Sequence, residues 1–277
     1  PDVNKGPAIL AVCGTMTLLA MAAVCMRILV RTKMVHKVGP DDYAILVAMA
    51  LSLSGMGIII PEVQNGAGRH IVYLEPATAS KGLKLNFATQ PIYLWAITVV
   101  KVSIALFLLR ISPARFYKRL LTGIIAFLII YTFICFLTIM LQCKNLAILW
   151  DSTVKTTCWT APTIRGLSYL NTGLNISTDI FFAFLPIPML WHVQINGRVK
   201  ASLICVLGLG VFACAASIVK LSYLPNYGKT GDFLWDSANL TIWVVTECNT
   251  GIIAACLPCL KPLFRHILET SRGYGSR

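Results

Sequence analysis

An all-α, polytopic bundle of seven transmembrane helices is the fold this sequence predicts, on three observations. Of its 277 residues, 57% are hydrophobic and 13% charged, against roughly 45–50% and about 25% in a soluble domain. Seven stretches are long and apolar enough for a bilayer core, which takes about 20 helical residues. Basic residues gather at alternate ends of those stretches, the pattern of cytoplasmic loops. A mean hydropathy of +0.74 agrees. A soluble enzyme, a disordered chain and a coiled coil are excluded.

The spans read as 8–30, 42–60, 85–109, 120–141, 167–191, 201–224 and 237–257. The first ends among Arg27, Arg31, Lys33 and Lys37. The second opens on Gly39-Pro40-Asp41-Asp42-Tyr43, a turn with two acids at a helix N-terminus, where the dipole favours them and Arg27 or Arg31 can pair with them. A long loop, 61–84, follows, with Gly66-Ala67-Gly68-Arg69-His70 as a flexible turn presenting a histidine. The third span is followed by Arg110, Arg115, Lys118 and Arg119. A second long loop, 142–166, separates spans four and five. Span five ends with two helix-perturbing prolines, Pro186 and Pro188, and an interfacial Trp191. Span seven closes with small residues suited to tight packing, Gly251 and Ala254-Ala255-Cys256.

Orientation follows from the cations. Those after spans one, three, five (Arg198, Lys200) and seven (Lys261, Arg265, Arg272, Arg277) outnumber Lys5, Arg69, Lys81, Lys84, Lys144, Lys155, Arg165 and Lys229 on the other side. The N-terminus is expected outside and the C-terminus inside. Residues 1–265 form one seven-helix transmembrane domain, and 266–277 a disordered cytoplasmic tail. This topology accounts for the net charge of +13, so no nucleic-acid partner is expected. No internal repeat supports an inverted-repeat transporter.

Of ten cysteines, Cys143 and Cys158 fall in the second outer loop, on the oxidising side, and are expected to form a disulfide. Those within spans, such as Cys13, Cys25, Cys135, Cys205, Cys214 and Cys248, read as small packing residues. No C-x-x-C pair faces a second such pair, so no zinc is expected, and no other metal or cofactor is implied.

Charge inside a bilayer is costly and calls for an explanation. Lys101, Asp179, Lys220 and Glu247 lie within spans and sum to zero, which suggests mutual pairing. Spacing of four places Asn171 and Asn175 on the face of Asp179, and Asn239 and Trp243 on that of Glu247. Gln90, Tyr93 and Lys101 share an inward face of span three. Two readings stand together: an ion-pair network that fixes helix register, and a ligand cavity opening toward the outer loops. A retinal pigment is not supported, because span seven has no lysine before Lys261.

As an ordered set, several local motifs resemble the fungal rhodopsin-domain family of seven-span membrane proteins. They are the Asp41-Asp42-Tyr43 triplet, the Gly-x-Gly-x-His turn, Lys101-Val102-Ser103 and Leu109-Arg110-Ile111. The cysteine-bounded loop, Asn175 and Asp179, Ser217-Ile218, Trp243, Glu247, Gly251-Ile252 and Ala255-Cys256-x-Pro complete the set, over about Arg27 to Pro262. At Lys220 the family carries arginine, which keeps the charge. The resemblance implies two kinds of relative. Some carry an extracellular cysteine-rich CFEM domain and look like G-protein-coupled receptors; shorter ones resemble proteins encoded beside secondary-metabolite pathways.

The first functional expectation is a receptor-like, multi-pass integral protein of the plasma membrane or an endomembrane. It binds a small lipophilic ligand in an outward-facing polar pocket, with a cytoplasmic signalling partner. Lys101, Asn175, Asp179, Lys220, Trp243, Glu247, Tyr93 and His70 are its candidate ligand-binding residues. The alternative is a metal-free membrane enzyme with cyclase- or isomerase-type acid–base chemistry on a lipophilic intermediate. Asp179 or Glu247 would then be the acid, oriented by Asn175 or His70.

Overall fold

The computed structural model describes residues 3–112, 114–151, 153–185, 187–188, 210, 215–220, 222 and 231–260. The expected third inner loop, most of span six, Trp191, Cys205, Cys214 and the tail 266–277 lie outside them.

Six long helices are complete among the described residues: α1 (Gly6–Val30), α2 (Pro40–Gln64), α3 (Pro76–Ile111), α4 (Arg115–Met140), α5 (Ala161–Phe184) and α6 (Phe233–Cys256). Residues 215–220 are also helical. Five segments, containing α1, α2, α3, α4 and α6, are long and apolar enough to cross a membrane. α5, at 24 residues, has the length to cross too, but Arg165, Asn171, Asn175 and Asp179 dilute its apolar content. The chain is an all-α membrane bundle.

Helix starts follow local chemistry. Proline occupies the first turn of α1, α2, α3 and α5, where its fixed φ suits the helix and its missing N–H costs nothing. Gly39 caps α2, its N–H donating to Asp42 Oδ2 at 2.9 Å. The connection between α2 and α3 is shorter than the sequence suggests. α2 runs on to Gln64 and α3 begins at Pro76, which leaves a connection of 65–75 where 61–84 was expected. Lys81, Lys84, Asn86 and Gln90 lower the local hydropathy of those first turns without stopping the helix. That connection turns on Gly66 (φ 97°) and Gly68 (φ 85°), a backbone region that side chains disfavour. A Cβ on Gly68 would also sit 2.9 Å from the Gly6 nitrogen. In the second loop Cys143 and Cys158 are disulfide-bonded. Lys144 N–H donates to Thr157 O at 3.2 Å and Trp159 N–H to Gln142 O at 2.9 Å, which draws the two cysteine-bearing segments together.

The core lies between α1, α2, α3 and α6, where small side chains such as Ala20, Ala48, Ala96, Ala238 and Ala255 alternate with larger ones such as Ile9, Ile45, Ile59 and Ile252. Lipid is as apolar as leucine, so close packing and interhelical hydrogen bonds hold such helices together. Gly55 of α2 shows the first: a Cβ there would lie 2.6 Å from the Tyr93 ring of α3. Asn249 of α6 shows the second, accepting from Ser52 Oγ on α2 (2.9 Å) and donating to Thr17 Oγ1 on α1 (3.2 Å). Thr98 and Thr132 join α3 to α4 at 2.7 Å, and Tyr131 of α4 donates to Asn171 Oδ1 of α5 at 2.5 Å.

Candidate functional site

Lys101 enters the interior from α3, buried to 6% exposure. Its ammonium lies 2.7 Å from Asp179 Oδ1 of α5 and donates to Asn175 Oδ1 and Thr178 Oγ1, each at 2.7 Å. Lys220 pairs with Glu247 Oε2 of α6 at 2.8 Å. Asn175 joins the two pairs, since its Oδ1 accepts from Lys101 while its Nδ2 donates to Glu247 Oε1. Ser217 Oγ donates to Asp179 Oδ2 at 3.2 Å. The four charges singled out in the sequence are therefore brought together as two linked ion pairs on α3, α5, α6 and the helical residues 215–220. Thr178 and Ser217 complete the network; the sequence marks Ser217 only through the Ser217-Ile218 motif and Thr178 not at all. The signal linking Ser217 to the network was its i, i+3 relation to Lys220.

A cleft of about 60 Å³ adjoins this network, with Lys101, Asp179 and Glu247 on its wall. The rest of its lining is apolar: Ile97, Val100 and Ile104 of α3, Phe182 and Ala183 of α5, Cys248, Gly251 and Ala254 of α6, and Gly210. Most of these residues lie one or two turns beyond the charges toward the C-terminal ends of α3, α5 and α6. The cleft thus extends away from the disulfide loop, whereas a pocket opening toward the long loops was expected. The charged wall is near its loop-side end, so the apolar space lies beyond it. Its volume admits a few waters and is far below the ~300–1,000 Å³ of a typical ligand pocket.

The other candidates lie elsewhere. Tyr93 is buried against Gly55, with its hydroxyl 3.5 Å from Ser52 O. Trp243 is half-buried and not part of the cleft lining. Gln90 is exposed, while Asn86 and Thr89 take the inward positions expected of it, because the inward face of α3 at that level falls one residue to the side. His70 belongs to a cluster at the loop end. Its ring stacks on Trp235 with centroids 4.0 Å apart, and Nδ1 lies 2.6 Å from Asp232 Oδ2. Lys5 Nζ sits 3.8 Å from the centre of the same tryptophan ring.

More charges are buried than the four. Arg27, expected at a solvated rim, is 1% exposed. It donates to Asp42 Oδ1 (2.8 Å), Asp41 Oδ2 (2.6 Å) and Ala255 O (2.7 Å), which ties α1, α2 and α6. Arg31 adds a bond to Asp41 Oδ2 at 3.1 Å, and Ser103 of α3 donates to Asp41 O at 2.8 Å. Glu62, expected in a loop, is also buried, in the last turns of α2. Asn86 Nδ2 donates to its Oε1 at 2.9 Å, and its Oε2 has no hydrogen-bond partner among the described residues.

Fold and motifs define a multi-pass membrane protein with an ionic core. The fungal rhodopsin domain model matches residues 26–266, and the chain belongs to that family. It is 30% identical over 225 residues to a SAT4 family membrane protein of Emericella nidulans, covering 79% of this chain and 56% of that protein. It is 24% identical over 264 residues to the polyenoic acids biosynthesis gene cluster protein Ba17b of Metarhizium anisopliae, covering 91% and 72%. To Receptor GIN3 of Arthrobotrys oligospora it is 30% identical over 98 residues, 34% of this chain and 23% of the receptor. The chain spans a little over half the length of the SAT4 relative. No solved structure matches it.

Proposed function

We propose that this chain is a receptor-like seven-helix protein of the plasma membrane or an endomembrane, whose ligand is a small lipophilic molecule with one polar group. The observation that carries this reading is that Lys101, Asp179 and Glu247 belong to the ion-pair network and also wall the apolar cleft. The apolar body of the ligand fits between α3, α5 and α6, and its polar group meets the charges. A cleft of about 60 Å³ admits such a ligand only if these helices part. Binding therefore selects a conformation in which the Lys101–Asn175–Glu247 linkage is rearranged, and that differential contact is what a signal requires. The end of the bundle opposite the disulfide loop faces the cytoplasm, where a signalling partner reads the change. A receptor among the relatives supports this reading.

Acid catalysis at this site needs a carboxyl group free of a basic partner. Asp179 and Glu247 each have an ammonium, at 2.7 and 2.8 Å, and the reading as an enzyme is the weaker for it.

The test is thermal unfolding of the reconstituted chain with a series of straight-chain aliphatic acids and alcohols. A ligand at 100 times its Kd adds about 2.7 kcal/mol of stability. Ala254→Phe, which fills the cleft, abolishes that gain while the unliganded protein still melts cooperatively. No stabilisation by any member of the series, or an equal one in Ala254→Phe, contradicts the proposal.

A further inference from the structure

The end of the bundle where α1 and α3 finish and α2 and α4 begin carries a charge pattern that the ligand site does not use. Lys33, Lys37, Arg110, Arg115, Lys118 and Arg119 are all exposed there. Between residues 28 and 47 and between 104 and 124 the only acids are Asp41 and Asp42, both fully buried and held by Arg27 and Arg31. Arg110 is the link to that buried cluster, with Nη1 3.6 Å from Asp41 Oδ1. The exposed surface is thus cationic with no acid of its own among the described residues.

Two physical features say what complements it. Arg115, Lys118 and Arg119 occupy the first turns of α4, which has no acidic residue in its first turn and no side-chain cap. Cations there oppose the positive end of the helix dipole, and a bound anion relieves that repulsion. Interleaved with the cations are strongly exposed apolar side chains, Phe116 (70%) and Ile111 (45%). Aromatic and aliphatic groups between cations at the end of a spanning helix are suited to the boundary of hydrocarbon and headgroup. We infer that this face is a binding surface for anionic phospholipid headgroups, with Arg115, Lys118 and Arg119 as its principal contacts and Phe116 inserted beside them.

The test is native mass spectrometry of the full chain released from nanodiscs of equal parts phosphatidylcholine and phosphatidylserine. The wild type retains phosphatidylserine in preference to phosphatidylcholine. In Arg115→Gln/Lys118→Gln/Arg119→Gln that preference falls by about fivefold for each cation removed. The matched variant Lys144→Gln/Lys155→Gln/Arg165→Gln, which removes three exposed cations from the opposite end, keeps it. Melting in phosphatidylcholine alone shows that both variants are folded. Equal retention of the two lipids by the wild type overturns the inference, as does an undiminished preference in the first variant. Tight binding of polyglutamate without any lipid preference assigns the face to an acidic protein and overturns it too.

Discussion

Asn175 spends both ends of its amide on opposite charges, accepting from Lys101 at 2.7 Å through Oδ1 and donating to Glu247 through Nδ2. It is the bridge between the α3–α5 ion pair and the pair that Lys220 forms with α6. Asn175→Leu keeps each pair and removes the bridge. Hydrogen bonds to charged groups contribute about 1.5–3 kcal/mol each, so stability falls by that order. A double-mutant cycle between Lys101 and Glu247 shows coupling in the wild type and little in the Asn175→Leu background. Equal coupling in both would mean that the pairs communicate by another route.

Lys101→Met strands Asp179 in the interior. Removing one partner of a buried pair costs about 3–5 kcal/mol, whereas replacing both by apolar groups of similar size is often neutral. Lys101→Met/Asp179→Leu is therefore expected to recover most of the melting temperature that Lys101→Met loses. Denaturation in nanodiscs measures both.

Of the three arginines that reach Asp41, Arg27 and Arg110 should differ most in weight. Arg27 makes three short hydrogen bonds at 1% exposure, and Arg27→Met leaves two buried carboxylates short of donors. A loss of about 3–5 kcal/mol is expected, seen as poor yield of folded protein. Arg110, with a side chain 37% exposed and 3.6 Å away, should cost less than about 1 kcal/mol as Arg110→Gln.

Cys143 and Cys158 close a loop with a sequence separation of 15, for which the loop-entropy argument gives about 3 kcal/mol. Cys143→Ser/Cys158→Ser should melt earlier by that amount, and the oxidised wild type should show a mass two hydrogens lower than the reduced form.

His70 clamps Asp232 and stacks on Trp235 away from the cleft. His70→Ala should therefore lower stability by about 1 kcal/mol and leave ligand-induced stabilisation intact. A lost ligand response would return His70 to the binding site.

The bundle was legible because bilayer thickness sets helix length, and the pairing of Lys101, Asp179, Lys220 and Glu247 because charge in hydrocarbon must be neutralised. Facing was harder to read. In a spanning helix the lipid side is as apolar as the packed side, so the contrast that points a soluble amphipathic helix inward is absent. Gln90 was thus placed inward and Asn86 overlooked. Arg27 was read as a rim cation because it lies three residues from the end of α1. Its pairing with Asp41 or Asp42 is legible from the turn that opens α2, but its full burial also depends on the Ala255 carbonyl, 228 residues away, which local sequence does not encode. Glu62 was hidden in the same way, by a helix that continues past Pro61.

The central claim is that a lipophilic ligand enters between α3, α5 and α6, and photoaffinity labelling tests it most directly. A long-chain aliphatic acid bearing a diazirine, mapped by mass spectrometry after irradiation of the reconstituted chain, is predicted to label Val100, Phe182 or Ala254, and excess unlabelled acid to suppress it. Labelling confined to lipid-facing residues such as Leu19, Val47 and Ile130, unaffected by competitor, would contradict the account.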